Sequence, residues 1–256
     1  MNNEYKITLN KNGYILIKNF LCDEEKKSLN IDIEFLYNKK DTPGKIMKYY
    51  EESVIDSKKI LNRIENFIDY KEIDHINKIE KKASKLLSII TEKKHILFKD
   101  KINFKLSGGG GFLPHQDHPA FTRFIKEEIF NIMIPVDDMN IANGCLYISK
   151  IPFKKKSIPH NSGQALKSSY KNYRWIPIQA KCGDLLIFSS FLLHMSKNNL
   201  SNKNRRCIFF TYNSISEGEL RNKYFEFKRK IFPPIVERNN LDDHSNWKKN
   251  LAKKII

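Results

Sequence analysis

Apolar positions change their spacing near residue 95, and the change divides the chain. Before it, Leu29, Ile33, Leu36 and Tyr37 fall on one face of a helix that Asp23 can cap, with Glu24 and Glu25 in its first turn. Ile60, Ile64, Phe67 and Ile68 predict a second helix, and Ile76, Ile79, Ala83, Leu86, Leu87 and Ile90 a third. The opening segment alternates after the turn at Gly13 and predicts a short strand. Beyond residue 95, Ile102, Phe104 and Leu106 alternate, as do Phe130, Ile132 and Ile134, while Leu185 to Phe188 is a continuous apolar run suited to a buried strand. Further strands are predicted at residues 144–148, 173–178 and 206–212, with turn signals at Gly108 to Gly111, Asn143-Gly144 and Cys182-Gly183-Asp184.

Helices followed by antiparallel strands predict an α+β fold, its β half closing into a barrel or jelly roll with helices packed on one side. The 256 residues suit one domain. Within it, residues 1–95 are expected to be mainly helical, 96–215 to form the β core, and 216–256 to form a charged helical tail broken at Pro233-Pro234. No apolar run approaches the roughly 18 residues that cross a bilayer, so no membrane is expected. The N-terminus lacks the apolar stretch of a secretory signal, which predicts a cytoplasmic protein.

Charge and cysteines narrow the choices. A net charge of +17 would attract polyanions, but lysines such as Lys26-Lys27, Lys58-Lys59 and Lys81-Lys82 are scattered along the chain. That distribution reads as compositional bias, and nucleic acid is not the expected partner. Cys22, Cys145, Cys182 and Cys207 form no CxxC pair, which argues against a zinc cluster or a dithiol redox motif.

Candidate chemistry begins at His115-Gln116-Asp117, because alternate residues of an extended segment share a face. The triplet alone is weak. His194 adds a second imidazole where the apolar strand ending at Phe188 leaves the core. Two imidazoles and one carboxylate on one side of a metal leave open positions, which suits iron(II) chemistry with O2. A zinc hydrolase with a metal-bound water as nucleophile could use the same three residues. Arg205 favours iron: 2-oxoglutarate chelating the metal leaves its distal carboxylate free, and a guanidinium suits a two-pronged hold on it. If 206–212 is a strand, Arg206 points to the other face. A basic β-barrel binding nucleic acid would need aromatic and basic residues on one sheet face, and Arg206, Phe209 and Tyr212 offer a fragment of that.

In order and spacing, His115-x-Asp117, Asn143 to Leu146, Gly183 to Phe188, His194-x-Ser196 and Arg205 resemble the phytanoyl-CoA dioxygenase family, and the likeness reaches back to the opening Asn12 to Leu21. The resemblance implies a double-stranded β-helix of the cupin-like jelly-roll type. It implies His115, Asp117 and His194 as ligands of Fe(II), 2-oxoglutarate as co-substrate held by Arg205 with Ser196 and Asn103, and O2 as oxidant. The carboxylate of Asp117 favours hydroxylation over halogenation. One departure is Ile151 to Lys154, where the family has a Gly-Ser-His turn at the site's mouth.

Residues 101–121 and the segment from Tyr224 to Pro234 look like the branch containing 2-aminoethylphosphonate dioxygenase. That likeness implies hydroxylation of a small anionic substrate, a phosphonate first, with release of succinate and CO2. His118 and Arg123 are candidate substrate contacts, and the glycine run at 108–111 permits close backbone approach.

Overall fold

The computed structural model describes residues 2–239, so the predicted tail over 240–256 lies outside the described residues. The chain runs α1 (Asn2–Asn12), β1 (Tyr14–Ile17), α2 (Asp23–Asn38), β2 (Met47–Glu52), β3 (Lys59–Glu65), α3 (Asp74–Thr91), β4 (His95–Lys105), β5 (Phe112–His115) and β6 (Phe130–Pro135). It continues through β7 (Leu146–Ser149), β8 (His160–Asn161), β9 (Gln164–Ala165), α4 (Lys167–Tyr170), β10 (Trp175–Ile178), β11 (Leu185–Ser189), β12 (His194–Ser196), β13 (Arg205–Ser214) and α5 (Arg221–Ile231). Two antiparallel sheets result, one of seven strands in the order β1-β11-β6-β13-β4-β3-β2 and one of six in the order β10-β7-β12-β5-β9-β8. With helices on one side, this is the α+β jelly roll that the change of period predicts.

Strand alternation decides what each face of the larger sheet does. Ile102, Phe104, Ile132, Ile134, Leu185, Ile187, Ile208 and Phe210 form one buried cluster with Leu29, Ile33 and Leu36 of α2 and Ile76, Ile79, Ala83, Leu87 and Ile90 of α3. The helices therefore cover the outer face, and each apolar stripe is core packing. The opposite face of the same strands carries Met133, Leu186, Phe188, Cys207 and Phe209, which pack with Leu146, Tyr147 and Ile148 of the smaller sheet. Polar residues on that inner face have no solvent to meet, only the space between the sheets.

The predicted helix at 60–68 is a correction: Ile60 and Ile64 lie in β3, paired with β2 and β4. A bulge sets Tyr49 against Arg63 and Tyr50 against Leu61, so Asn62 is the extra residue. The bulge turns Leu61 and Ile64 to the same core, which imitates helical spacing. Phe67 and Ile68 lie past the strand in a turn, where their backbone N–H groups donate to Asp100 Oδ2 at 2.6 and 3.2 Å. The part before residue 95 thus holds β1, β2 and β3 as well as its three longer helices.

At the mouth of the sandwich, the glycine run is a tight turn. A Cβ on Gly111 would stand 2.6 Å from the Ser196 carbonyl oxygen, and one on Gly108, whose φ is +80°, 2.1 Å from Ser53 Oγ. A larger residue at Gly111 would have to displace the backbone of β12, and one at Gly108 would meet both the positive φ and the Ser53 side chain.

Candidate active site

β5 and β12 are neighbours, and their register sets His194 directly opposite His115. The two imidazole rings lie 4.2 Å apart between centroids. His115 Nδ1 is 2.7 Å from the Leu113 carbonyl oxygen and His194 Nδ1 is 2.9 Å from that of Leu192. A carbonyl can only accept, so both rings carry their proton on Nδ1 and turn the lone pair of Nε2 inward. Asp117 completes the group, with Oδ1 3.7 Å from His115 Nε2 and Oδ2 3.8 Å from His194 Nε2. One ligand atom from each of the three residues lies within 4.8 Å of the others.

Asp117 reaches this position differently from the reading of His-x-Asp as a strand pair. β5 ends at His115, and Asp117 adopts φ −77°, ψ −30° at the start of a 3-10 turn over His118–Ala120. Asn131 Nδ2 donates to Asp117 Oδ2 at 3.0 Å, and Thr211 Oγ1 donates to Asn131 Oδ1 at 2.7 Å, so a chain of two side chains aims the carboxylate. Burial and the charge of His194 push His115 down to about 4, which keeps its imidazole neutral and able to ligate near pH 7. Burial works against the charge of Asp117, yet His194, His115 and Lys101 hold its carboxyl below the ordinary carboxylate range. Two imidazoles and an ionised carboxylate facing one point fit a divalent metal.

The second part of the site is cationic. Arg205, only 2% exposed, finds two weak sulfur acceptors, Met139 Sδ at 3.5 Å and Cys207 Sγ at 3.7 Å, and its Nε has no partner. Asn103, 6% exposed, has an unpartnered Oδ1. Lys105 Nζ donates to Ser196 Oγ at 2.9 Å, and burial together with the charge of Arg205 pushes Lys105 down to about 7. A buried guanidinium without a carboxylate is unfavourable unless an anion joins it, so this end fits a ligand carboxylate. Arg206 faces the other way, as the strand alternation requires, where it grips Asp137 through Nε at 2.9 Å and Nη2 at 2.7 Å and also pairs with Glu34 of α2.

One cavity between the sheets is lined by the three metal-fitting residues and by Asn103, Ser196 and Arg205. His118 and Arg123 do not line it. The turn that begins at Asp117 carries the His118 ring onto Phe191, 4.0 Å between centroids, and the Arg123 guanidinium stacks 4.4 Å over the Phe227 ring. Their assignment as substrate contacts has no support from the geometry. Arg206, Phe209 and Tyr212 also share no open face: Phe209 lines the cavity and Tyr212 is buried under the helices.

Lys99, Lys101, Asn131 and Thr211 line the cavity and were not singled out by the sequence reading. Their signal is the alternation Lys99-x-Lys101-x-Asn103-x-Lys105 in β4, which in an open sheet would be a solvated face and in a closed barrel is the interior.

A double-stranded β-helix that points two imidazoles and a carboxylate into its interior defines the class of mononuclear iron oxygenases. The phytanoyl-CoA dioxygenase family matches residues 9–207, and the chain belongs to that family. It is 37% identical to the 2-aminoethylphosphonate dioxygenase of an uncultured bacterium over 244 residues, 95% of this chain and 93% of the relative. It is 30% identical to the methylphosphonate hydroxylase of Gimesia maris, covering 88% of this chain and 86% of the relative. Among solved structures, AviO1 from Streptomyces viridochromogenes Tue57 shares the fold with a TM-score of 0.67 at 16% identity, covering 84% of this chain and 95% of that one. EctD from S. alaskensis, solved with 2-oxoglutarate and 5-hydroxyectoine, gives a TM-score of 0.65 at 14% identity over 84% and 76%. The enzyme is a 2-oxoglutarate-dependent dioxygenase that uses iron, which displaces the zinc-hydrolase reading and that of a β-barrel without catalysis. Among the described residues, no helix is long and apolar enough to cross a membrane.

Proposed function

We propose that this enzyme hydroxylates a small phosphonate at the carbon beside phosphorus, with His115, Asp117 and His194 holding Fe(II) and Arg205 holding 2-oxoglutarate. The observation that carries the site assignment is the pair of inward Nε2 lone pairs and Asp117 beside a buried Arg205 that has no acid partner among the described residues. Iron held there supplies the coupling of O2 activation to oxidative decarboxylation of 2-oxoglutarate, which yields succinate and CO2. The protein's part is positioning. Arg205 and Lys105 neutralise the distal carboxylate, and Ser196 Oγ and the amide of Asn103 complete its hydrogen bonds. Asn131 fixes the rotamer of Asp117, while Phe112, Phe121, Phe188 and Phe209 exclude water from the reacting carbon.

The phosphonate assignment rests on the likeness to the two phosphonate oxygenases and on a lining whose charged residues besides Asp117 and the histidines are Lys99, Lys101 and Arg205. We place the enzyme in the cytoplasm as one catalytic domain over residues 1–256, with no nucleic-acid partner. Succinate formation, followed with Fe(II), 2-oxoglutarate and O2 across small phosphonates, betaines and acyl-CoA esters, tests the reading. Phosphonates are expected to stimulate it; stimulation by a betaine or an acyl-CoA ester alone would reject the substrate assignment.

A further inference from the structure

β4 turns Lys99, Lys101 and Asn103 into the cavity along one line, Lys105 follows on the same strand face, and the three lysines are not equivalent. Lys105 stands opposite Arg205 in the register of β13 and is bonded to Ser196, so it belongs to the co-substrate end. Lys101 stands opposite Phe209 and Lys99 opposite Thr211, the residue whose hydroxyl starts the chain to Asn131 and Asp117. The two lysines therefore occupy the Asp117 side, four and six residue pairs along the register from Arg205.

Among the described residues Lys101 Nζ has no carboxylate or hydrogen-bond partner; it lies 4.5 Å from the centre of the Phe209 ring. Lys99 does have an acid, Glu65, at 3.6 Å, but Glu65 is shared with Arg63 at 3.0 Å and with Lys228 of α5. Three cations around one carboxylate leave an excess of positive charge behind Lys99. Asp117 is the only acid that lines the cavity among the described residues, and it faces the metal position.

We propose that Lys101, backed by Lys99, is the element that recognises the phosphonate of the primary substrate, so that the two anions of the reaction bind at opposite ends of one strand. The inference rests on the phosphonate-hydroxylase reading. Two adjacent ammonium groups match a phosphonate dianion, whose three oxygens can accept from both, better than they match a carboxylate monoanion. Holding the phosphorus at Lys101 leaves the adjacent carbon facing the metal position, and Lys105 with Arg205 keeps 2-oxoglutarate from competing for the same cations. Partial burial, with the charge of Lys99, pushes Lys101 down to about 8; a bound anion relieves that cost.

The test uses Lys101→Met and Lys101→Arg in the full-length, iron-reconstituted enzyme, with 2-aminoethylphosphonate and its carboxylate analogue β-alanine as probes. Calorimetric titration of the iron-loaded protein under anaerobic conditions reads binding apart from turnover. In Lys101→Met the KM and the calorimetric Kd for 2-aminoethylphosphonate should rise at least about tenfold, the preference over β-alanine should collapse, and the 2-oxoglutarate Kd should stay within about twofold. Lys101→Arg should recover most of the affinity. Lys101→Met should fold at least as well as the parent, because it removes a half-buried charge that has no acid partner among the described residues; Lys101→Gln serves as the second variant. An unchanged phosphonate Kd in both neutral variants would overturn the inference, as would an equal loss of 2-oxoglutarate affinity. If the unsubstituted enzyme neither binds nor converts any phosphonate, the underlying reading fails, and this inference with it.

Discussion

His194 lies directly across the strand pair from His115, and each ring is locked by a carbonyl two residues earlier in the chain. The two lone pairs are therefore aimed by backbone, before any metal arrives. His115→Ala, Asp117→Ala or His194→Ala should each fold and each fail to retain stoichiometric iron, because each removes one of three protein ligands. Metal content after gel filtration checks this, and a variant that keeps one iron per chain removes that residue from the ligand set.

The adjacent arginines of β13 should separate cleanly. Arg205→Ala removes the cation of the co-substrate end and should weaken 2-oxoglutarate binding by about 2–3 kcal/mol, while thermal stability holds or rises. Arg206→Ala should leave 2-oxoglutarate affinity unchanged and lower Tm, because it leaves Asp137 without its two-pronged partner. Titration calorimetry and thermal melts distinguish the two; a 2-oxoglutarate defect in Arg206→Ala would mean the strand presents the other face.

Asn131 touches the proposed ligand Asp117 and not the metal position itself. Asn131→Ala frees the carboxylate to rotate and should lower iron affinity about 10- to 100-fold, with a smaller loss in Thr211→Val, which acts one bond further away. Equal iron affinity in Asn131→Ala and the parent would show that Asp117 is oriented by other means.

Lys105 offers a pH test with opposite signs in two measurements. Its folded value of about 7 lies below the ordinary 10.5, so between those limits the unfolded chain holds a proton that the folded chain has released. Stability of the ligand-free protein should therefore rise with pH through that window, measured as the difference between the parent and Lys105→Met in chemical denaturation at pH 7 and pH 9. Below about 7 this group contributes no slope. The 2-oxoglutarate affinity should fall over the same range, since the dianion needs the charged amine, and Lys105→Arg should flatten that dependence. A flat affinity profile in the parent would take Lys105 out of the co-substrate end.

Much of this site was legible because strand alternation is strict. One face of β13 follows from its apolar residues Ile208 and Phe210, and that alone puts Arg205 inside and Arg206 outside. α2 and α3 were legible from their stripes, whereas α1 was not, since Leu9 is its one buried residue and a single contact leaves no period. The bulge in β3 gave strand residues a helical spacing. His118 and Arg123 failed as cavity contacts because the chain leaves the extended form at Asp117, a local turn that no spacing announces. The cavity lysines failed for a different reason: a lysine face is solvated in most sheets, and only closure of the barrel makes it an interior.

The central claim, hydroxylation of a phosphonate by iron and 2-oxoglutarate, is tested most directly by turning over 2-aminoethylphosphonate under 18O2 and following the product by 31P NMR and mass spectrometry. The expected product is a phosphonate with its C–P bond intact and one 18O atom on the carbon beside phosphorus, formed with one succinate per product. A product whose new oxygen comes from water, or succinate release that no phosphonate stimulates while another substrate does, would contradict it.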